Sequence, residues 1–245
     1  MELDYAVRYR ELYERHWWWR SRERFVEEHL RSRLPEGGFG PILDIGCGDG
    51  LFFDRLVHFG EPEGLEPDPS IVTDQGRGRG RIYEQPFDTD FDPGRRYGLI
   101  LMLDVLEHLD DDVAALRRVH ELLEPDGLLL LTVPAFRSLW TRHDDLNHHR
   151  TRYTRATLAP ALEAGGLHIT ELRYFFHWLV PLKLLVRAKE ALVAGEPAPP
   201  SVPAAPANRF FAGLSRLEQR TWGRLPWPFG TSLFAIARRT EPDAP

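Results

Sequence analysis

The feature that most restricts the fold is a glycine-rich loop between a short apolar strand and a helical segment. The predicted strand is Pro41–Ile45, the loop runs Asp44-Ile-Gly-Cys-Gly-Asp-Gly50, and helical spacing resumes over Leu51–Phe59. Glycines at alternate positions let a ligand contact the backbone, because no Cβ atom stands in the way. A simple turn does not need three glycines and a flanking acid in this setting, so we interpret the loop as a ligand site.

Apolar and helical segments alternate along the rest of the chain. The pattern predicts further strands at Glu63–Glu66, Arg81–Tyr83, Tyr97–Val105, Leu128–Val133, Leu167–Phe176 and Thr231–Ala237. It predicts helices at Tyr5–Leu34 and Asp111–Leu123, from Thr154 to Gly165, and at Pro181–Ala194 and Asn208–Trp222. Pro125-Asp-Gly127 is expected to form a turn that ends the second of these helices. This alternation is typical of a doubly wound α/β sheet.

The same pattern divides the chain into three parts. We expect an N-terminal helical cap over residues 1–36, a core formed by residues 37–176 and 230–240, and an insertion over residues 177–229. The segment Gly195–Pro206 has five prolines and is expected to be a linker or extended loop. We interpret the insertion as a helical, proline-rich lid.

Composition excludes some partners. The 245 residues carry a net charge of −6, so there is no general electrostatic reason to bind nucleic acid or an anionic membrane. The single cysteine, Cys47, fits a reducing compartment. No charged-then-apolar signal segment opens the sequence, and the longest apolar run, Phe175–Val186, is too short to span a bilayer. We therefore expect a cytoplasmic protein.

Two ligands compete for the glycine loop. A dinucleotide fingerprint needs a glycine three positions after its second one, where this chain has Leu51. Asp44 would repel a pyrophosphate but suits a cation such as the ammonium of an amino acid. Glu66 lies twenty positions after Gly46, where a carboxylate takes both hydroxyls of a ribose. An amino-acid group plus a ribose indicates S-adenosylmethionine, and an NAD(P)-linked oxidoreductase is the disfavoured rival.

Several motifs carry a family resemblance. Ile42-Leu-Asp-Ile-Gly-Cys-Gly-Asp-Gly50, Leu65-Glu-Pro-Asp-Pro-Ser70, Leu101-Met-Leu-Asp-Val-Leu-Glu-His-Leu109 and Leu122-Leu-Glu-Pro-Asp-Gly-Leu-Leu-Leu130 resemble, in order, those of class I S-adenosylmethionine-dependent methyltransferases. The resemblance covers roughly residues 40 to 175. It implies a Rossmann-like sheet of seven strands whose last strand is antiparallel, with an N-terminal helix and a C-terminal helical insertion.

The resemblance also implies cofactor contacts. Asp44, Gly46 and Gly48 would flank the methionine part, and Glu66 with Pro67 would hold the ribose. Asp88 or Gln85 would lie near the adenine, a choice that stays open. Residues 102–105, including Leu103 and Asp104, would form the floor of the methyl-transfer cleft.

An aromatic segment, His16-Trp-Trp-Trp-Arg-Ser-Arg22, resembles the opening of a bacterial subgroup of methyltransferases. Three adjacent indoles cannot all face one side of a helix, so at least one, which we assign to Trp19, should cover the cleft. Arg22, with or without Arg20, would pair with the cofactor carboxylate. Ordinary packing is an equal alternative for Trp17 and Trp18.

The segment from Trp140 to Tyr153 has three histidines and two aspartates within seven residues. Methyl transfer needs alignment of nucleophile, methyl and sulfur for an SN2 attack, and a hydroxyl or amine acceptor must also lose a proton. The candidate bases are His148, His149 and then His143, oriented by Asp144 or Asp145. We expect no metal, although two histidines and a carboxylate could hold one. Alternatively, the aspartates pair with Arg150, Arg152 and Tyr153 in a solvated loop. We expect His108 to support this loop.

The acceptor is not named by any motif. Residues 174–186 are aromatic and apolar, which indicates packing against the sheet edge or a lid for a lipid-like acceptor. A small metabolite, a saccharide and a lipid carrier remain open, with weak membrane-surface contact through residues 175–190. We therefore predict methyl transfer from S-adenosylmethionine to O or N of a non-polymeric acceptor, a non-catalytic binding module being the alternative. The oligomeric state stays open.

Overall fold

A seven-stranded mixed sheet forms the centre of the molecule. The computed structural model describes residues 3–193 and 200–240. The strands are β1 Pro41–Ile45, β2 Glu61–Leu65, β3 Arg81–Tyr83, β4 Tyr97–Leu103, β5 Leu123–Pro134, β6 Leu167–Phe175 and β7 Ser232–Arg239. Their order is β3-β2-β1-β4-β5-β7-β6, and β7 runs antiparallel to both of its neighbours. The predicted fold class is confirmed, including the antiparallel last strand.

Helices cover both faces of this sheet. They are α1 Leu3–Arg15, α2 Trp17–Arg31, α3 Phe53–Leu56, α4 Asp74–Arg79, α5 Asp112–Leu122, α6 Arg142–Leu146, α7 Arg155–Ala164, α8 Leu179–Leu192 and α9 Ala205–Arg220. Successive residues of β4 alternate between two apolar layers, because strand side chains point to opposite faces. Leu99 packs in the layer that includes α2 and α3, whereas Ile100 packs in the layer that includes α5 and α7.

The sequence pattern predicts one continuous helix over Tyr5–Leu34, and this prediction is wrong, because the structure has two helices there. The break lies at His16, whose Nδ1 accepts a hydrogen bond from the backbone N–H of Trp18 and caps α2. Asn208 of α9 bridges the break, since its side chain accepts from the N–H of Trp17 at 2.8 Å and donates to the carbonyl of Arg15 at 2.7 Å. A contact 191 residues away in sequence therefore ends α1, which local spacing cannot reveal.

Other boundaries also differ from the sequence prediction. β5 begins directly after α5 and includes Pro125 and Gly127, which were expected to lie in a break between helix and strand. Over Leu51–Phe59, only four residues form an α-helix. The residues that follow form hydrogen bonds between residues three apart, as in a 3₁₀-helix, before the chain enters β2. These bonds are His58 N–H to the Arg55 carbonyl and Phe59 N–H to the Leu56 carbonyl.

The connection between β6 and β7 contains α8 and α9. Glu218 of α9 holds the start of α8, because its carboxylate accepts from the backbone N–H groups of His177 at 3.0 Å and Trp178 at 3.1 Å. Part of the predicted proline-rich linker, residues 195–199, lies outside the described residues, as does Ala194 at the predicted end of the preceding helix. Among the helices that the structure does describe, none is long and apolar enough to cross a membrane.

Candidate active site

The glycine loop takes a conformation that requires its glycines. Gly46, Gly48 and Gly50 have φ angles of 74°, 56° and 64°, the left-handed region that L-residues with a Cβ rarely adopt. A Cβ on Gly46 would lie 2.6 Å from Cγ2 of Val105. The loop is anchored to β2, because the N–H of Gly46 donates to the carbonyl of Leu65 at 2.7 Å. Backbone therefore lines this end of β1.

Two buried carboxylates lie beside the loop. Glu66 accepts from the backbone N–H groups of Gly48 and Asp68, both at 3.0 Å, and burial raises its pKa. Burial raises the pKa of Asp44 to about 7, with Arg22 acting in the opposite direction and Glu66 adding to the rise. Buried carboxylates are costly unless a partner compensates their charge. A ligand with a cationic group and hydroxyl donors fits this pair.

The N-terminal helices cover the same loop. Arg22 forms an ion pair with Asp104 and lies 4.9 Å from the ring centre of Trp18. A Cβ on Gly48 would lie 3.5 Å from the ring of Tyr9 on α1. The sequence motifs did not identify Tyr9, and its proximity depends on how α1 packs.

Asp49 ties the loop to two helices. Its carboxylate pairs with Arg10 of α1 and accepts from both the N–H and the hydroxyl of Thr73 at 2.8 Å. Although burial acts to raise the pKa of Asp49, the hydrogen bonds from Thr73 and Arg10 hold it below its usual value. Asp49 therefore has a structural role that the sequence analysis missed.

The three tryptophans have different surroundings. Trp17 is buried against Phe176, Trp178 and Phe211, as ordinary packing predicts. Trp18 is half-buried against Phe176. Trp19 is also half-buried and contacts the rings of His16 and Trp18.

The remaining predicted cofactor residues lie at strand ends or on the surface. Pro67, Gln85 and Asp88 are exposed, and the Asp88 carboxylate accepts from the N–H of Asp90 in its own turn. Leu103 and Asp104 are half-buried at the carboxyl end of β4. Asp104 has a φ of 58°, and such backbone strain concentrates at functional sites.

The histidine segment is a closed loop beyond β5. Ala135 and Tyr153 form a parallel bridge at its base, and Arg152 donates to the carbonyl of Ala135 at 2.9 Å. Within the loop, Thr141 and Asp144 form a capping box that starts α6. The segment is therefore ordered by its own polar groups and returns to the carboxyl edge of the sheet.

Asp144 is the centre of this segment. It is fully buried, lies 2.9 Å from Nδ1 of His149, and accepts two hydrogen bonds from Arg152 at 2.7 and 3.0 Å. Burial alone would raise the pKa of Asp144, but the hydrogen bonds from His149 and Arg152 hold it well below its usual range. Asp145, the other candidate to orient the base, is exposed and accepts from Nε1 of Trp140 instead.

The three candidate bases are not equivalent. His149 is nearly buried, and its Nε2 lies 4.0 Å from a carboxylate oxygen of Glu107. His148 is exposed, with a φ of 56°. His143 lies 3.0 Å from the amide nitrogen of Asn147, and burial, with nearby Lys183, lowers its pKa to about 4.

Glu107 is the most informative residue that the sequence analysis left without a role. It is fully buried, and neither carboxylate oxygen has a hydrogen-bond partner among the described residues. Burial and then Asp104 raise its pKa well above the usual value. Its only sequence signal is its place in the motif that follows β4.

His108 lies beside this carboxylate. Its ring contacts that of His149 edge-on at 4.8 Å, and its carbonyl accepts from Arg150 at 2.9 Å. One ligand atom each of Glu107, His108 and His149 lie within 4.8 Å of one another. Imidazole and carboxylate are ligands for divalent cations, so this trio could hold one.

Comparison with known proteins agrees with this architecture. A family model for the methyltransferase domain matches residues 13–172. The ubiquinone biosynthesis O-methyltransferase of Azorhizobium caulinodans is 36% identical over 109 residues, which cover 42% of this chain and 43% of that protein. The match therefore spans less than half of that relative's length.

Solved structures show the same fold. A chain from the complex between the Haloferax volcanii Trm112 methyltransferase activator and a methyltransferase superposes with a TM-score of 0.62 at 19% identity, over 99% of this chain and 97% of that one. A TehB-like S-adenosylmethionine-dependent methyltransferase of Corynebacterium glutamicum gives a TM-score of 0.57 at 16% identity, over 97% of both chains. Because the family model covers well over half of the sequence and the sheet has the expected strand order, the chain belongs to the class I S-adenosylmethionine-dependent methyltransferases.

Proposed function

We propose that this chain transfers a methyl group from S-adenosylmethionine to a hydroxyl oxygen of a small acceptor that carries an apolar chain. The observation that carries the proposal is the placement of His149, held by Asp144, beside the carboxyl end of β4. That end of the sheet also carries the glycine loop and its two carboxylates, where ligands of open α/β sheets bind.

The cofactor would be held by residues on the β1 and β2 ends. When bound, S-adenosylmethionine supplies an electrophilic methyl group on a sulfonium sulfur. Asp44 would face its ammonium group, and Glu66 would accept hydrogen bonds from the ribose hydroxyls. Gly46 and Gly48 leave room for the methionine part, while Trp19, Arg22, Pro67, Asp88, Leu103 and Asp104 remain predicted contacts.

His149 is the proposed general base. Because Asp144 is ionised and lies 2.9 Å from Nδ1, it keeps the proton on that nitrogen and leaves the lone pair on Nε2. Nε2 would take the hydroxyl proton as the acceptor oxygen takes the methyl group. Arg152 neutralises Asp144 and fixes its orientation by donating to both carboxylate oxygens. His148 and His143 are weaker candidates, since one is exposed and the other lies beside Lys183.

The choice of oxygen rests on the relatives. Curated relatives with 36% and 30% identity over their matched parts are named ubiquinone biosynthesis O-methyltransferases. Their name indicates a hydroxyl acceptor attached to an apolar chain, and the exposed apolar residues of α8 suit such a molecule. Nitrogen acceptors and saccharides are the alternatives.

The proposal is tested by transfer of labelled methyl from S-adenosylmethionine to a prenylated catechol. We expect His149→Ala to lower kcat by about a hundredfold or more, the usual contribution of a general base. His148→Ala is the matched control and should keep nearly full activity. Equal activity of wild type and His149→Ala would contradict the role of His149. Cofactor binding without transfer to any acceptor would favour a non-catalytic binding module.

A metal-assisted reaction is the second candidate, favoured by the trio of Glu107, His108 and His149. A divalent cation there would lower the pKa of an acceptor hydroxyl without a protein base. In that case chelation with EDTA should abolish turnover and a divalent transition metal such as Zn²⁺ should restore it. With His149 as the base, chelation should leave the rate unchanged.

A further inference from the structure

Helix α8 turns a polar side toward the protein and an apolar side outward, the reverse of a typical surface helix in a soluble domain. Three of its polar side chains bond to the protein: Lys183 donates to the hydroxyl of Thr141 at 3.1 Å, and Glu190 accepts from the N–H of Arg142 at 3.0 Å. Arg187 donates to the carbonyl of Ser138 at 2.5 Å. A surface helix normally packs its apolar side inward, whereas this arrangement leaves much of the apolar side exposed to solvent.

The outward face of α8 is formed mainly by leucine and valine, with the exposed Lys189 among them. Leu185 and Leu192 are 67% and 86% exposed, and the full set is Leu182, Leu184, Leu185, Val186, Leu192 and Val193. At about 100° per residue, these positions span about 200° of the helix and its end. A protein groove covers a narrower stripe, whereas the boundary between lipid headgroups and acyl chains can surround such a face.

Exposed apolar residues are concentrated in this part of the molecule. Thirteen large hydrophobic residues are exposed in the described part of the chain, and eleven of them lie between Leu182 and Phe229. The other two are Leu34 and Val57. Trp227 and Phe229 belong to the set, and aromatic side chains of this kind favour the membrane interface.

The same segment has a charge opposite to that of the rest of the chain. Residues 177–229 contain seven basic and three acidic residues, a net charge of +4. The remaining residues contain 24 basic and 34 acidic ones, a net charge of −10. On α9, Arg209, Arg216 and Arg220 are exposed at spacings that align them on one face. This charge is complementary to anionic lipid, and the overall −6 conceals it.

We propose that the connection between β6 and β7 docks on an anionic phospholipid bilayer through the outward faces of α8 and α9. This inference rests on the proposed function where it names the bilayer as the source of an acceptor with an apolar chain. Helix α8 is connected directly to the proposed catalytic segment. Lys183 and Glu190 bond to Thr141 and Arg142 at the start of α6, the helix that contains Asp144. Docking places the histidine segment beside the membrane surface. The lid role predicted for residues 177–229 would then be a docking role.

Co-sedimentation of the full chain with vesicles tests the proposal. We expect the protein to bind phosphatidylcholine vesicles that contain about 30% phosphatidylglycerol, and to bind pure phosphatidylcholine vesicles about tenfold or more weakly. Leu185→Glu should weaken binding to the anionic vesicles about tenfold or more, whereas Leu34→Glu, the matched control, should not. Arg216→Glu should weaken binding more than Arg96→Glu, which makes the same charge change outside the segment.

Two results would overturn the proposal. The first concerns vesicle binding: either wild type does not bind anionic vesicles at low salt, or Leu185→Glu binds these vesicles as tightly as wild type does. The other is a dimer by light scattering that Leu185→Glu dissociates in the absence of vesicle binding, which assigns the face to a second copy. Methyl transfer to the prenylated catechol dispersed in detergent, measured on the same preparations, separates this failure from that of the proposed function, because lost docking leaves transfer to a dispersed acceptor intact.

Discussion

The proposed cofactor side and the proposed acceptor side of the cleft are built differently. On the cofactor side, the glycine loop and Glu66 follow directly from β1 and β2, and backbone N–H groups hold them in place. On the acceptor side, Glu107 and His149 meet from segments 42 residues apart, through the side chains of Asp144 and Arg152. Backbone architecture thus defines the first site and a buried ionic network defines the second.

The largest expected effect is on the acceptor side. Asp144→Ala leaves the buried guanidinium of Arg152 without its partner, and we expect a loss of about 3–5 kcal/mol in the free energy of unfolding. Asp145→Ala, next to it but exposed, should cost less than about 1 kcal/mol. Urea denaturation of both variants measures the difference. Equal losses would show that the network does not hold the segment.

The second prediction concerns the cofactor side and pH. Asp44 has a pKa of about 7 when folded, above its ordinary value of 3.8, so the folded state binds this proton more tightly than the unfolded state does. Its contribution to stability is therefore lost as pH rises from about 4 to about 7. Asp44→Asn removes this loss and should stabilise the cofactor-free protein by up to about 4 kcal/mol above pH 7.

Urea denaturation between pH 4 and pH 8 checks this sign. The difference between Asp44→Asn and wild type should grow with pH and then level off. Asp88→Asn, at an exposed carboxylate, should show no such trend. A difference for Asp44→Asn that is independent of pH would mean that the carboxylate is ionised throughout.

A third prediction separates contact from backbone strain in the glycine loop. Gly46 and Gly94 have similar φ angles, 74° and 70°, but only at Gly46 would a Cβ meet another atom within 4 Å. Gly94→Ala should cost about 1 kcal/mol from its φ angle alone, whereas Gly46→Ala should cost about 2 kcal/mol or more. Thermal unfolding measures both. Similar costs would mean that Val105 moves aside.

The smallest effect tests the cover over the loop. Arg10→Ala removes the pair with Asp49 and should cost about 1 kcal/mol, because that carboxylate is buried. Arg15→Ala removes an exposed pair with Glu11 and should cost less than about 0.5 kcal/mol. If a urea titration finds the same loss of stability in the two variants, the pair between Arg10 and Asp49 does not hold α1 on the glycine loop.

Sequence patterns can identify the proposed cofactor side because its determinants are local. Three glycines between a strand and a helix, and a carboxylate at the end of the next strand, are visible without knowledge of packing. The strand order follows from the resemblance, and the break at His16 does not, since Asn208 creates it from a distant helix. No sequence pattern assigns a role to Glu107 or Tyr9, or shows that the leucines of α8 face outward, because only tertiary structure determines what a side chain faces.

The central claim is that Asp44 and Glu66 together bind S-adenosylmethionine. Calorimetric titration with this cofactor tests the claim most directly. We expect wild type to bind, and Asp44→Ala and Glu66→Ala each to weaken binding about a hundredfold, since each removes a charged or hydrogen-bonding contact of about 2–3 kcal/mol. Glu61→Ala removes an exposed carboxylate at the start of β2, the strand that precedes Glu66, and this variant should bind the cofactor as wild type does. Unchanged affinity in both Asp44→Ala and Glu66→Ala would contradict the account.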